Sequence, residues 1–245
     1  MKSGERQDLG RQILDHIGRY RLTFQEILGA LFFDGGNPQK TLNELRNDGL
    51  IESQPGFGGN RRAYKLTGKG VATAKARRRA ADHLGSEALE TTVAILSFCF
   101  LKQRSRVLLL PKERDDLLGT PEKAKIGRYH CLECGVHAKC VHHIYAPETV
   151  TSAGDMLTQT RAHLNRAFAV PELAPWLQHR RYVHTVLVEQ PSLEADFNAL
   201  LDESEFDEHD RRPIRDVALI RVERVPMQSG LEEALRVLAE EFKAA

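Results

Sequence analysis

Residues 38–67 constrain the chain most, because the spacing of apolar positions changes there once, from helical to alternating, across a single glycine. Asn37-Pro38 opens a helix, since asparagine caps well and proline is tolerated at the first helical position. The spacing predicts a helix over residues 38–48 with Leu42 and Leu45 facing inward. Gly49 ends it in a left-handed turn that sends Leu50-Ile51 back onto the core. Leu50-Ile51-Glu52-Ser53 and Arg61-Arg62-Ala63-Tyr64-Lys65-Leu66-Thr67 then read as two strands around a flexible Pro55-Gly56-Phe57-Gly58-Gly59-Asn60 tip.

Upstream, Leu9, Ile13, Leu14 and Ile17 recur at helical spacing, so residues 8–19 form an amphipathic helix with one buried stripe. Thr23 with Glu26 three residues on has the form of a capping box and starts a second helix over residues 24–33, which Asp34-Gly35-Gly36 breaks. Three helices and a basic hairpin are the parts of a winged helix-turn-helix domain, expected over residues 1–85. Charge agrees with that reading. Residues 1–85 carry 15 Lys and Arg against 9 Asp and Glu, a net of +6 that leaves −5 for the remainder, so this part should meet a polyanion. With Leu42 and Leu45 inward, Gln39, Lys40, Asn43 and Asn47 stand on or near the DNA-facing side, where such side chains bond base edges or phosphates. Spacing does not say which of the four make contact. Arg61, Arg62, Lys65 and Lys69 flank the hairpin tip as a phosphate-binding face. Lys75-Ala76-Arg77-Arg78-Arg79 continues as a helix, adding phosphate contacts or linking domains.

Leu42-x-x-Leu45 with Gly49-Leu50-Ile51, then Arg62-x-Tyr64-x-Leu66-Thr67-x-Lys69-Gly70, resembles the third helix and wing of PadR-like and MarR-like regulators over about a third of the chain. Those families continue into dimerisation helices, and Leu89, Val93, Leu96 and Phe100 have the spacing for one. The remainder, residues 86–245, alternates strands and helices. Strands are expected at 106–110, 182–188 and 217–222, a hairpin around Gly135, and helices at 154–168 and 231–242. The whole is therefore α+β, a winged helix followed by a mixed α/β domain. That order resembles the replication-relaxation family of plasmid and mobile-element proteins, whose second half is similar to a degenerate restriction-endonuclease-like fold. An active nuclease of that fold would need an aspartate and a Glu-x-Lys on adjacent strands; Glu148 is followed by Thr149-Val150, so no catalytic residue is expected.

Cys131-Leu132-Glu133-Cys134-Gly135 has the form of a zinc knuckle, and Cys140-Val141-His142-His143 offers two more ligands. Cys131, Cys134, Cys140 and His143 are the expected structural zinc set, with His130, His137 and His142 as rivals, although a strand would put Cys131 and Cys134 on opposite faces. Cys99, in an apolar helix, reads as core. Asp202 to Asp210 is an acidic, solvated loop.

No apolar run reaches the length of a membrane span and no secretory core follows Met1, so a cytoplasmic location and no membrane partner are expected. Together these features predict a sequence-specific regulator that binds double-stranded DNA as a homodimer, with a non-enzymatic second domain for dimerisation or a protein partner. A relaxosome or replication accessory and a nuclease-like enzyme are the alternatives. The stripe Leu231, Ala234, Leu235, Leu238 and Phe242 serves either as core or as a subunit contact, with core favoured.

Overall fold

A computed structural model describes residues 3–55, 57, 61–101, 105–121, 124–135, 138–148, 151–206, 211–226 and 230–244. In chain order the elements are α1 (Ser3–Tyr20), β1 (Thr23–Phe24), α2 (Gln25–Phe32), α3 (Gln39–Asn47), β2 (Ile51–Gln54), β3 (Ala63–Leu66), α4 (Gly68–Ala74) and α5 (Ser86–Phe100). There follow β4 (Arg106–Leu109), α6 (Pro111–Leu118), β5 (His130–Cys134), β6 (Lys139–Tyr145), α7 (Ala153–Phe168) and α8 (Ala174–Gln178). The last are β7 (Tyr182–Val188), α9 (Pro191–Glu203), α10 (Ile214–Val217), β8 (Leu219–Arg224) and α11 (Leu231–Ala244). The class is α+β with two sheets.

Two compact units divide the chain, residues 1–96 with 226–245, and residues 97–225. This differs from the expected cut after residue 85, because the last helix, α11, packs on α2 of the first unit. Leu231, Leu235 and Leu238 are buried there, so the stripe is core, as favoured; the side chain of Phe242 lies outside the described residues.

In the first unit Ile13, Leu14 and Ile17 of α1 join Leu28, Leu42, Leu45, Ile51 and Leu66 in one apolar core. The expected cap at Thr23 does not form. Thr23 and Phe24 are extended, pair with Tyr64 and Ala63 of β3, and the Thr23 hydroxyl meets His16 Nε2 at 3.0 Å, so α2 starts at Gln25 without a side-chain cap. A strand partner satisfies the Thr23–Phe24 backbone better than a helical turn would. Asn37 Oδ1 accepts from the Gln39 amide at 2.9 Å, as a cap should. At the other end of α3, Gly49 takes φ +68, and the Leu50 amide reaches back to the Leu45 carbonyl at 2.9 Å. Strands β2 and β3 pair antiparallel from Ile51↔Leu66 to Gln54↔Ala63, and β1 completes a sheet in the order β1-β3-β2. Residues 56 and 58–60 of the expected tip lie outside the described residues, whereas Phe57 is buried edge-on against Phe24. The expected helix through residues 75–79 is interrupted, since Lys75 is left-handed at φ 50 and ends α4.

Strands of the second unit lie in the order β4-β5-β6-β7-β8. The first three form an antiparallel meander, and β6, β7 and β8 run parallel. The parallel pairs need crossovers, which α7 and α8 supply before β7, and α9 and α10 before β8. Every residue of β7 is buried, as the largely apolar run 182–188 predicts, the polar His184 and Thr185 included. The last strand begins two residues later than expected because Val217 closes α10. Met156 and Leu164 of α7 and Phe197 and Leu201 of α9 cover one face of the sheet, around Val186, Val188 and Ile220. Among the described residues no helix is long and apolar enough to cross a membrane.

Candidate functional site

On α3 the buried residues are Leu42 and Leu45, which turns the remaining stripes outward. Lys40 and Asn47 are exposed, and Gln39 and Asn43 are half-buried. Asn43 Oδ1 accepts from Gln39 Nε2 at 2.9 Å and from Arg46 Nη2 at 3.4 Å, so one amide holds two long donors side by side. Arg46 is absent from the sequence-derived set, yet its spacing, three after Asn43 and seven after Gln39, puts it on the same stripe. An open cleft beside it has Gln39, Arg46, Arg61 and Arg62 among its lining residues, with the acidic Glu26 also on its wall.

The basic residues near the hairpin divide into two kinds. Arg62 is exposed. Arg61 forms an ion pair with Glu26, the residue expected in the capping box. Lys65 is buried, with Nζ 2.9 Å from Glu52 Oε1 of the facing strand position and 3.4 Å from the Ala81 carbonyl. Lys69 donates to the Asp48 carbonyl at 2.7 Å and so closes the end of α3. Lys65 and Lys69 thus act on the scaffold that orients α3.

The expected zinc set is not brought together. Register pairs Cys131 with His142 on one face of the sheet, and His130 with His143 on the other. Cys134, three residues after Cys131, falls on the opposite face and is exposed; Cys140 is half-buried opposite Glu133. Strand alternation is the reason, because a knuckle needs a turn between its cysteines. Cys131 instead lies 3.7 Å, sulfur to sulfur, from Cys99, which is buried as expected. Of the rival ligands, His142 faces away from His143, and His137 lies outside the described residues.

The face that carries Cys131 holds a buried ionic network. Arg106 Nη1 and Nη2 donate to the two carboxylate oxygens of Glu223 at 2.9 Å each, and Nε donates to Glu133 Oε2 at 2.8 Å. Arg106 and Glu223 sit on the two edge strands, which a flat five-stranded sheet would separate by about 19 Å, so the sheet is strongly curled. Arg221 Nη1 reaches Glu133 at 3.2 Å, and His142 Nε2 lies 3.1 Å from the same oxygen while its Nδ1 meets the Thr185 hydroxyl at 2.9 Å. His142 and then Arg106 hold the Glu133 carboxyl well below the usual range. Burial works against charge on Arg106, but Glu223 and Glu133 outweigh it and raise its pKa. The charges balance within the network.

On the opposite face four imidazoles are packed together beneath α7. His130 and His143 face each other across β5 and β6, His184 is beside His143 on β7, and His163 descends from α7. All are buried. His143 Nδ1 lies 3.0 Å from His184 Nδ1, and the rings of His143 and His163 stack at 3.5 Å. The Tyr182 hydroxyl is 3.2 Å from Nε2 of both His130 and His163, and the Thr160 hydroxyl is 3.2 Å from His184 Nε2. Gly127, at φ +99, gives the His143 ring its place, since a Cβ there would fall 2.2 Å from Nε2. Burial lowers the pKa of His130 and His184 to about 3, and burial with His184 lowers that of His163 to about 2. Burial, then His163, depresses His143 as well. These imidazoles are therefore neutral near pH 7, with lone pairs available. His143, His163 and His184 offer ligand atoms within 4.8 Å of one another, the one such group of His, Cys, Asp or Glu among the described residues.

Comparisons with family models, with curated proteins and with solved structures return no match for this chain.

Proposed function

We propose that the first unit is a winged helix that binds double-stranded DNA, and that the chain is a sequence-specific transcriptional regulator of bacterial or mobile-element origin. The observation that supports it is the outward stripe of α3, where Asn43 aligns Gln39 and Arg46 between exposed Lys40 and Asn47, beside exposed Arg62. Amide and guanidinium groups of this kind read base edges, while Lys40 and Arg62 suit phosphates. Their backbone is held at each end by one side chain, Asn37 on the Gln39 amide and Lys69 on the Asp48 carbonyl. In this reading the second unit serves to pair two copies, since one recognition helix reads a short half-site.

Selection of bound duplexes from a random pool by the full chain, followed by titration at several salt concentrations, tests this reading. An enriched motif with two half-sites is expected. Replacing Lys40, Arg46 and Arg62 together by alanine should reduce the salt slope by about 1.8, at about 0.9 for each of the two phosphate contacts at Lys40 and Arg62. Asn43→Ala should instead relax the preferred sequence. A triple variant that binds as the parent does, or a pool that enriches nothing, would overturn the proposal. Magnesium-dependent cleavage lost on changing Glu148 would replace the regulator with a nuclease.

A further inference from the structure

We propose that the second unit holds one divalent transition-metal ion, zinc foremost, on the imidazoles of His143, His163 and His184. Burying polar rings costs free energy unless each nitrogen finds a partner, and here two do not: Nδ1 of His163 and Nδ1 of His130 are buried without a hydrogen bond. A metal ion on His143, His163 and His184 accounts directly for the His163 nitrogen, while His130 stands beside the site and is not a ligand. The three ligand atoms lie within 4.8 Å of one another, and Nδ1 of His143 and of His184 are 3.0 Å apart. Tetrahedral zinc with bonds of about 2.0–2.1 Å spaces its ligand nitrogens by about 3.3 Å, so the site closes by a contraction on the order of an ångström together with a reorientation of the His163 ring, which is stacked on His143.

Two of the three outer nitrogens are already arranged as a metal site requires. A ligating imidazole usually donates its other N–H to a fixed acceptor, which sets its tautomer and orientation. With Nδ1 turned to the metal, His184 Nε2 meets Thr160 Oγ1 and His163 Nε2 meets the Tyr182 hydroxyl, each at 3.2 Å. His143 Nε2 rests against the Gly127 backbone, where no side chain larger than hydrogen fits. A metal lies in the plane of each imidazole it binds, so loading tilts His163 out of its stack on His143, where its Nδ1 has no hydrogen bond to lose, and replaces the Nδ1–Nδ1 hydrogen bond of His143 and His184 by two bonds to the ion, its proton leaving to solvent. Three neutral imidazoles without a carboxylate favour zinc or cobalt over calcium or magnesium. Arg166 acts on His143 and His163 as a cation and opposes a dication, whereas Arg114 acts on the neighbouring His130 and is itself paired with Asp115 at 2.5 Å. The ion would join β6, β7 and α7, and so pin the first crossover helix to the sheet.

The test uses the untagged full chain, purified without chelator, then stripped and reloaded with cobalt(II). About one equivalent of zinc per chain is expected, with cobalt d–d bands and no thiolate-to-cobalt charge transfer. Replacing Cys131, Cys134 and Cys140 by serine should leave the metal in place, whereas His163→Gln and His184→Gln should each lower affinity at least tenfold. Absence of metal with no cobalt uptake by the parent chain overturns the proposal, as does a thiolate band or a full equivalent retained by His163→Gln. The cobalt spectrum of the parent chain decides the matter even where a variant does not fold.

Discussion

The two units bury different chemistry. The first is held by aliphatic side chains from α1, α2, α3 and the small sheet, and its buried histidine, His16, is matched to the Thr23 hydroxyl. The second places Arg106, Glu223 and five histidines, His130, His142, His143, His163 and His184, in its interior on both faces of one sheet. Apolar burial adds up over many contacts and depends little on any one partner or on pH. A buried ionic or imidazole network depends on every member, because a group left alone keeps its desolvation cost. The first unit should therefore lose stability gradually under substitution, and the second abruptly.

The largest effect is expected at Arg106. Arg106→Leu leaves Glu223 without its bidentate partner and Glu133 without one of its cations, and urea unfolding should show a loss of about 3–5 kcal/mol. Adding Glu223→Leu should recover part of it, and a loss below about 1 kcal/mol for the single change would erase the contrast between the units. In the first unit Leu28→Ala, at a fully buried site, should cost about 2–5 kcal/mol by cavity formation.

Acid sharpens the comparison next. His130, His163 and His184 have folded pKa values of about 3, about 2 and about 3, lowered by burial from an ordinary 6.5. The unfolded chain then binds protons that the folded one does not, so stability present above pH 6.5 is lost as pH falls from about 6.5 towards 3. His16, at about 3, supplies the same effect once in the first unit. In metal-free protein, hydrogen exchange corrected for its intrinsic rate should lose protection in β6 and β7 between pH 7 and 5 before it does in α1 and α2. Equal loss in both would refute the contrast. The smallest effects belong to local geometry: Gly49→Ala at φ +68 should cost about 1–2 kcal/mol, and Thr67→Ala, which removes the cap on the Gly70 amide, about 1 kcal/mol. Thermal melts of the two variants check both.

How far the sequence carries depends on the range of the interactions read. The bounds of α3, the turn at Gly49, the β2–β3 pair and the buried stripe of α1 follow from contacts within a few residues, and those are legible in one dimension. Thr23-x-x-Glu26 looked locally like a cap, but β3, about 40 residues away, claimed its backbone. Likewise Cys-x2-Cys-Gly has the spacing of a metal knuckle, and pairing in a strand separates its thiols to opposite faces.

By itself, the sequence determined the α+β class, the order of the longer elements and the basic outward face around α3, because periodicity, caps and charge are local properties. Tertiary structure alone decided that α11 belongs with the first unit, that Lys65 and Lys69 serve the scaffold, and that His143, His163 and His184 meet. Those histidines are separated by 20 and 21 positions along the chain and come from a strand, a helix and another strand. Histidine carries no strong preference for core or surface, so only the register of β6 with β7 and the seat of α7 above them bring these rings together.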